Sequence, residues 1–279
     1  MKNILVLFLT ILASAACGQK KINKKPENPE KANTMEKTTA TKMQVEIWSD
    51  IMCPFCYIGK RHYEAALNAF ADRNDVEIVW KSFQLDPDIP AVASKPENVY
   101  EYLAKRKGMS YDQSVRAHQN VAEMAKKAGL EYNFDKTIIA NSFDAHKVIQ
   151  LAKTKGLGDA IEERFFKAYF TEGRDLADSA TLAELGGDIG LDRQEVLNAL
   201  NDDHYAYLVN QDIMEARQIG VTGVPFFVFN RKYAVSGAQP ADAFLKTMEK
   251  AFTEWRRDNP RTKLDISEGP SCTPEGLCE

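Results

Sequence analysis

Apolar and polar residues alternate in two stretches near the start of the folded part of the chain. In residues 43–50, Val45 and Ile47 occupy alternate positions, and residues 75–85 form a second such stretch. Alternation of this kind predicts β-strands. Between the two stretches, apolar side chains recur at helical spacing from Cys53 onward. The pattern therefore predicts the order strand, helix, strand, with Cys53 at the junction of the first strand and the helix.

The middle of the chain has helical periodicity throughout. Between residues 97–220, apolar positions recur every three to four residues, and several segments stop at a glycine, as at Gly129 and Gly156. Asp192 and Glu195 have the spacing of a capping box at the start of one of these segments. The pattern predicts a long block made only of helices.

The end of the folded part returns to strand periodicity. Residues 224–237 are predicted to form two short strands with a turn at Asn230-Arg231, and an amphipathic helix follows in residues 239–258. Taken together, the elements predict an α/β protein, a thioredoxin fold with a large all-helical insertion. A fold alone does not define a function, so the chemistry must come from particular residues.

The N-terminus has the composition of an export signal. Lys2 precedes an apolar run over residues 4–12, and small residues come directly before Cys17. The run is too short to be a membrane helix. A cysteine after small residues resembles a bacterial lipobox, although Ser14 stands where leucine is usual. We expect lipid attachment at Cys17, and ordinary cleavage near Ala16 is the alternative.

A basic tether follows the export signal. Residues 18–43 contain too few large apolar side chains to fold. They hold seven lysines and three glutamates, and since the whole chain carries −4, the residues from 44 onward carry −9 once Lys2 is counted. An acidic folded part argues against nucleic acid as a partner. The basic tether suits an anionic membrane surface beside a lipid anchor, with a solvated spacer as the alternative.

The chain contains five cysteines. If Cys17 carries lipid, the other four form two close pairs, Cys53/Cys56 and Cys272/Cys278. Export implies an oxidising compartment, in which such pairs form disulfides.

The predicted organisation has six parts. They are a lipoprotein-type signal with its lipid-attachment cysteine (1–17), a disordered tether (18–43), the N-terminal part of the thioredoxin fold (44–94), the helical insertion (95–203), the C-terminal part of the thioredoxin fold (204–258), and a tail with the second cysteine pair (259–279).

Cys53 lies where the predicted helix begins. Unpaired backbone N–H groups and the positive end of the helix dipole favour a thiolate there, so Cys53 is the expected nucleophile. Cys56, one turn further along, is the expected resolving thiol. A structural disulfide and half a zinc site are the alternatives. Zinc needs about four nitrogen or sulfur ligands, and the four histidines are scattered, so we predict no metal and no cofactor beyond the redox-active disulfide.

Several stretches resemble the DsbA family of thiol–disulfide oxidoreductases, and within it the FrnE-type subgroup. The resemblance spans about residues 44–250 and is carried by SDIMCPFCYIGK, FDAHKVIQLA, FKAYFTEGRDL and GVTGVPFFVFN. It implies that Cys53 is the nucleophile and Cys56 the resolving cysteine. It also implies that Pro225, at the start of a strand where proline is tolerated, is a cis-proline facing them, and that the Val224 backbone pairs with a bound peptide.

The sequence departs from DsbA itself between the two cysteines. The resemblance implies that Phe55 tunes the site, and Phe55 stands where DsbA has histidine. A phenyl ring offers no hydrogen-bond donor to a thiolate. We therefore expect a weaker oxidant, with a potential between about −120 mV for DsbA and about −270 mV for thioredoxin.

Other residues near the motif are candidates for secondary roles. Asp50, just before the motif, and Glu46 on the preceding strand are candidates to move a proton, although we expect Asp50 mainly to cap the turn. Trp48 and Met52 are candidates for an apolar rim around a substrate, with core packing as the alternative. His146 is expected to be an ordinary helix-face residue, with a catalytic role as the alternative.

The sequence therefore predicts a monomeric, exported enzyme of the bacterial cell envelope that exchanges disulfides with cysteine-containing proteins and with an unidentified redox partner. One alternative is a glutathione-dependent enzyme like the kappa-class transferases and hydroxychromene-carboxylate isomerases, although those resemble chains with serine in place of the first cysteine. Another is a non-catalytic binding protein with a thioredoxin fold.

The second cysteine pair allows two interpretations. A disulfide between Cys272 and Cys278 closes a short loop, which chain entropy credits with about 2–2.5 kcal/mol. One interpretation is a local clip, meaning a disulfide that only constrains the tail. The other is a redox relay, in which the tail exchanges disulfides with Cys53. FrnE-type proteins, which this chain resembles, often carry such a C-terminal pair.

Overall fold

A four-stranded mixed sheet forms the centre of the fold. This computed structural model describes residues 42–90 and 98–261. The strands within those ranges are β1 (Met43–Ser49), β2 (Val76–Ser82), β3 (Phe226–Phe229) and β4 (Tyr233–Ser236). Their order is β2-β1-β3-β4. β1 runs parallel to β2 and antiparallel to β3, which in turn is antiparallel to β4.

The helices lie where the periodicity predicts them. The first, α1 (Pro54–Ala69), connects β1 to β2. Those between β2 and β3 are α2 (Val99–Lys107), α3 (Tyr111–Lys127), α4 (Phe143–Thr154), α5 (Gly158–Lys167), α6 (Ser179–Asp188), α7 (Arg193–Leu200) and α8 (Asp203–Gln218). The last, α9 (Ala241–Asp258), follows β4. The predicted fold class, a thioredoxin fold with a large helical insertion, is confirmed.

One part of the predicted helical block is not an α-helix. Between α3 and α4, the regular structure is a single 3₁₀ turn, Phe134–Lys136. Gly129, with φ of 76°, breaks the chain away from α3, because a left-handed backbone is easy only for glycine. The Asn133 N–H then donates to the Phe170 carbonyl at 2.6 Å, so this segment bonds to another element instead of to itself.

The two faces of the sheet are covered by different helices. On one face, α1 and α9 enclose an aromatic cluster in which Phe227 lies between Tyr63 and Phe244, at ring-centroid distances of 5.6 and 4.5 Å. On the other face, Trp48 is fully buried and its Nε1–H donates to the Asp212 carbonyl of α8 at 3.0 Å. Trp48 therefore belongs to the core and is not part of a substrate rim.

The predicted hairpin turn is confirmed, and the predicted capping box at the start of α7 is confirmed only in part. Asn230 and Arg231 have φ of 49° and 53°, which is the geometry of a tight hairpin turn. Asp192 accepts a hydrogen bond from the Glu195 N–H at 2.8 Å and caps α7. The Glu195 carboxylate, however, pairs with Lys155 at 2.8 Å, so the predicted capping box is replaced by a simple cap and an ion pair.

Within the described ranges, none of the helices has both the length and the apolar character that a membrane span requires. Cys17, the tether up to residue 41, and the tail cysteines Cys272 and Cys278 lie outside the described residues.

Candidate active site

The two cysteines of the CPFC turn (residues 53–56) lie at the junction of β1 and α1. Cys53 is the N-cap of α1, with φ of −87° and ψ of 111°. Its N–H donates to the Asp50 carbonyl at 2.9 Å, and the Cys56 N–H donates to the Cys53 carbonyl at 3.0 Å. Pro54 occupies the first turn, where its missing N–H costs nothing. Both cysteines are free thiols.

Cys53 faces the loop that precedes β3. Its Sγ donates to the Val224 carbonyl at 3.4 Å, and the Val224–Pro225 peptide bond is cis. The structure thus brings together Cys53, Val224 and Pro225, which the sequence predicted to share one site. A sulfur in contact with this loop backbone can attack a disulfide in a peptide that pairs with the loop.

Gly59 holds the two parts of this site close together. A β-carbon at Gly59 of α1 would lie 2.9 Å from Pro225 Cγ, closer than such atoms approach. The sequence analysis missed Gly59, although a glycine inside a predicted helix is a known sign of close packing. The proline loop can therefore rest on α1 only because this position lacks a side chain.

Cys56 lies deeper than Cys53, with an exposed fraction of 1% against 4%. Burial raises the pKa of the Cys56 thiol well above its ordinary value, and the adjacent Cys53 raises it further, while the Asp50 N–H and the Ser49 hydroxyl act in the opposite direction. A buried, protonated thiol beside a more accessible one fits a resolving role for Cys56.

Asp50 fixes the start of the CPFC turn. It is fully buried, and its two carboxylate oxygens accept the Met52 N–H at 3.2 Å and the Leu85 N–H at 2.7 Å. The capping role expected for Asp50 is confirmed, and the carboxylate also ties the loop after β2 to the turn. His146 of α4 lies behind it, with Nε2 at 3.8 Å from Asp50 Oδ1.

Tyr132 is a site residue that the sequence analysis did not identify. Its hydroxyl donates to the Pro54 carbonyl at 2.7 Å, and its ring stacks on Phe170 at 4.6 Å. Burial raises the Tyr132 pKa, and the neighbouring Cys53 and Cys56 raise it further. Nothing local in the sequence links Tyr132 to the CPFC turn, because the contact joins the helical insertion to the thioredoxin fold.

A cavity of about 690 Å³ opens beside Cys53. It lies between the CPFC turn, the proline loop and the helical insertion. Met52 and Phe55 line it, and 38% of Phe55 is exposed. Apolar side chains of the insertion also contribute to its wall, among them Val99, Leu103, Phe134, Ile139 and Phe170. Met52 and Phe55 thus border a largely apolar space next to Cys53.

Within residues 42–90 and 98–261, no group of three or more His, Cys, Asp and Glu side chains is arranged to hold a metal ion.

The chain belongs to the family defined by the DSBA-like thioredoxin domain, whose model matches residues 44–249. A probable DsbA oxidoreductase from Streptomyces coelicolor is 39% identical, with a TM-score of 0.71 over 85% of this chain and 98% of that one. The uncharacterised protein YwbO of Bacillus subtilis is 28% identical over 208 residues, which cover 74% of this chain and 96% of YwbO. A 2-hydroxychromene-2-carboxylate isomerase shares the fold at 15% identity, with a TM-score of 0.56 over 79% of this chain and 100% of that one.

Proposed function

We propose that this protein is an exported thiol–disulfide oxidoreductase that exchanges disulfides with protein substrates through Cys53 and Cys56. One observation carries the proposal. Cys53 is the N-cap of α1 and its sulfur lies 3.4 Å from the Val224 carbonyl. Cys56 lies one helical turn further along α1. Nucleophile, peptide-pairing loop and resolving thiol therefore occupy one site.

The exchange proceeds through a mixed disulfide. The Cys53 thiolate attacks one sulfur of a substrate disulfide, and the other substrate sulfur leaves as a thiolate. Cys56 then loses its proton and attacks Cys53, which releases the second substrate thiolate and forms the Cys53–Cys56 disulfide. The substrate is reduced by two electrons and the cysteine pair is oxidised by two. The reverse sequence oxidises a substrate dithiol.

The walls of the site favour unfolded protein segments. An extended peptide can pair with the backbone at Val224, as in strand addition. The apolar cavity of about 690 Å³ accepts large side chains near the substrate cysteine. Such side chains are exposed in chains that have not finished folding, so newly exported proteins are the expected substrates.

The proposal is tested by insulin reduction and by refolding of scrambled ribonuclease. We expect Cys53→Ser to abolish both activities and Cys56→Ser to leave only slow, incomplete exchange. The variant Cys272→Ser/Cys278→Ser controls for the loss of any two cysteines and should retain both activities, at a lower rate than wild type. Unchanged turnover by Cys53→Ser would overturn the proposal.

A glutathione-dependent isomerase or transferase is the second candidate. The cavity favours it, because about 690 Å³ is the size of a small-molecule site. In that case Cys53→Ser would leave isomerisation or conjugation intact, since serine can fill the first position. Cys56 would then have no chemical role, so loss of protein-disulfide activity in Cys56→Ser separates the two candidates.

The direction of exchange follows from the potential of the cysteine pair. The proposal places it between DsbA and thioredoxin, since Phe55 donates no hydrogen bond to a thiolate. Titration against glutathione measures it. Phe55→His should make the pair more oxidising, by on the order of tenfold in the exchange constant, or ~30 mV. An unchanged potential would remove Phe55 as the tuning residue.

The N-terminal residues extend the proposal to location. We propose a monomeric lipoprotein of the FrnE type, held at the cell envelope through Cys17 and the basic tether, with no affinity for nucleic acid. Labelling with a tagged fatty acid in a bacterial host should mark the wild-type protein and not Cys17→Ala. Equal labelling of both would contradict lipid attachment at Cys17.

The tail cysteines complete the proposal. We expect Cys272 and Cys278 to relay electrons to Cys53, so Cys272→Ser/Cys278→Ser should slow turnover and leave the melting temperature almost unchanged. A large fall in melting temperature with normal turnover would show a local clip instead.

A further inference from the structure

His146 is a fully buried imidazole without a hydrogen-bond partner on either ring nitrogen. Its Nε2 lies 3.8 Å from Asp50 Oδ1, which is too far for a hydrogen bond but close enough for a strong interaction between charges. Buried polar side chains nearly always have a partner, and an exception calls for an explanation, of which a redox role is one.

Asp50 connects this imidazole to the reacting cysteines. Its carbonyl accepts the Cys53 N–H at 2.9 Å. Its carboxylate accepts the N–H groups of Met52 and Leu85. Because these contacts hold the carboxylate directly behind the CPFC turn, the net charge of the Asp50–His146 pair acts on any negative charge at Cys53.

Three other titratable groups that interact with Asp50 are uncharged at neutral pH. They come from three elements: Tyr102 from α2, Glu162 from α5, and Tyr169 from the π-helical turn that follows α5. Burial raises the pKa of both tyrosines, and it raises the pKa of Glu162 to about 8. Besides Asp50, the charged groups that act on Glu162 are Asp159, Lys60 and Lys153. His146 Nε2, at 3.8 Å, lies in direct electrostatic contact with the Asp50 carboxylate.

We propose that His146 takes up a proton when the Cys53–Cys56 disulfide is reduced and releases it when the disulfide reforms. The inference rests on the proposed function, since it assigns His146 a part in the same redox cycle. His146 touches neither sulfur, so it is a positioning residue for charge and not a catalytic one.

The protons and electrons of this step balance. A substrate dithiol gives up two electrons and two protons and becomes a disulfide. The Cys53–Cys56 bond breaks, one proton goes to Cys56, and the other goes to His146 while Cys53 remains a thiolate. The positive imidazole offsets the thiolate and the Asp50 carboxylate, so the buried charge behind the turn does not grow by a full unit.

The test combines two measurements on the reduced protein. Each proton taken up with the two electrons changes the equilibrium constant of the Cys53–Cys56 half-reaction, measured against a reference whose potential does not depend on pH, by about tenfold per pH unit, or ~30 mV. Values measured against glutathione are converted to this scale, because glutathione disulfide itself takes up two protons on reduction. Wild type should show a thiolate absorbance at neutral pH and, over the same range, a dependence of about a hundredfold per pH unit. Two protons are then bound although Cys53 carries none.

His146→Gln should not show the thiolate absorbance and the hundredfold pH dependence together, because the second proton can then bind only to Cys53. Either the dependence falls to about tenfold per pH unit with the thiolate kept, or the thiolate absorbance is lost. His118→Gln is the matched control. His118 is also buried, but its Nδ1 bonds to the Ser114 carbonyl at 2.8 Å, and it should leave both measurements unchanged. If His146→Gln kept the thiolate and the hundredfold dependence together, the proposal would be wrong.

Proton NMR tests the same point without any variant. The chain has four histidines, so the His146 ring signal can be followed in the oxidised and reduced protein at one pH. We expect it to move to the protonated position on reduction, while His118 does not. Identical His146 signals in both states would overturn the proposal. Redox titration uses no protein substrate, so the inference can hold even if the insulin and ribonuclease assays refute the proposed function.

Discussion

Two buried regions of the fold differ sharply in composition. Between the sheet and helices α1 and α9 lies an aromatic core, defined by Tyr63, Phe227, Phe229 and Phe244, all fully buried. Between the sheet and helices α4, α5 and α8 lies a polar seam, defined by Asp50, His146, Gln150, Glu162 and Asp212, which are also buried.

The two regions satisfy their buried groups in different ways. The aromatic core contains one polar atom without a partner, the Tyr63 hydroxyl, among the side chains that define it. In the polar seam, Gln150 bonds to Asp212 at 2.6 Å, whereas the polar atoms of His146 and Glu162 have no partner. The aromatic core contributes mainly to stability. The polar seam holds Glu162, whose pKa is raised by burial, and Asp50, which bonds to the start of the CPFC turn.

Phe227→Ala should give the largest loss of stability and tests the role of the aromatic core. The ring is fully buried between Tyr63 and Phe244. Its removal leaves a cavity and should lower the free energy of unfolding by about 3–5 kcal/mol. Urea unfolding measures this. Phe226→Ala, at a half-buried position of the same strand, is the control and should cost less. If both variants lost the same free energy of unfolding, burial in the aromatic core would not explain the contribution of Phe227.

Glu162→Gln tests whether a buried group of the polar seam lowers stability, whereas Phe227 of the aromatic core raises it. Burial raises the pKa of Glu162 to about 8, against about 4.3 in an unfolded chain. Between these values the folded protein keeps a proton that the unfolded chain has lost, so Glu162 makes stability fall as pH rises.

Glutamine removes that dependence. Glu162→Gln should match wild type near pH 4.5 and exceed it at pH 8, by on the order of a few kcal/mol in the free energy of unfolding. Urea unfolding across this pH range is the measurement. A difference that does not grow with pH would show that Glu162 is ionised in the folded protein.

Gly59→Ala tests the contact between α1 and the proline loop. The added β-carbon would lie 2.9 Å from Pro225 Cγ, so the loop must move. We expect a loss of about 1–3 kcal/mol and reduced insulin reduction, because the loop leaves Cys53. Gly223→Ala is the control, since a β-carbon there meets nothing within 4 Å. Equal activity of both variants would show that the contact does not position the loop.

Glu163→Gln should change the free energy of unfolding least of these variants, and it should lower stability where Glu162→Gln raises it. Burial raises the Glu163 pKa, but hydrogen bonds from Arg61 and Tyr57 and the charge of Lys60 outweigh it, and the pKa falls to about 2. Glu163 thus stabilises the fold above about pH 4.5, and this contribution is lost as pH falls towards about 2.

Because Glu163 is partly exposed, its variant should lose only about 0.5–1 kcal/mol at pH 7 and approach wild type in acid. The same urea series as for Glu162→Gln measures it. If the unfolding free energies of Glu162→Gln and Glu163→Gln depended on pH in the same way, the two carboxylates would not have opposite pKa shifts, and this prediction would be wrong.

Local physics explains what the sequence could predict. Cys53 and Pro54 mark the start of α1 because helix ends have their own chemistry, and Asn230 marks a hairpin turn because its backbone tolerates a positive φ. Val224-Pro225 identifies the facing loop through the resemblance to DsbA. All of these signals lie within a few neighbouring residues.

Contacts between distant segments explain what the sequence could not predict. Periodicity shows that His146 lies on a helix, but not that its buried face meets Asp50. Nothing near Tyr132 points to the Pro54 carbonyl, and nothing near Gly59 names Pro225 as its neighbour. Burial of Glu162 was also missed, since a glutamate in an amphipathic helix is normally solvated.

The most direct test of the central claim, that Cys53 is the nucleophile of disulfide exchange, is to trap the mixed disulfide. Cys56→Ser is mixed with a disulfide-containing unfolded protein, quenched in acid, and mapped by mass spectrometry. The account predicts a covalent adduct at Cys53, absent from Cys53→Ser/Cys56→Ser. An adduct that forms equally in the double variant, or no adduct at Cys53, would contradict it.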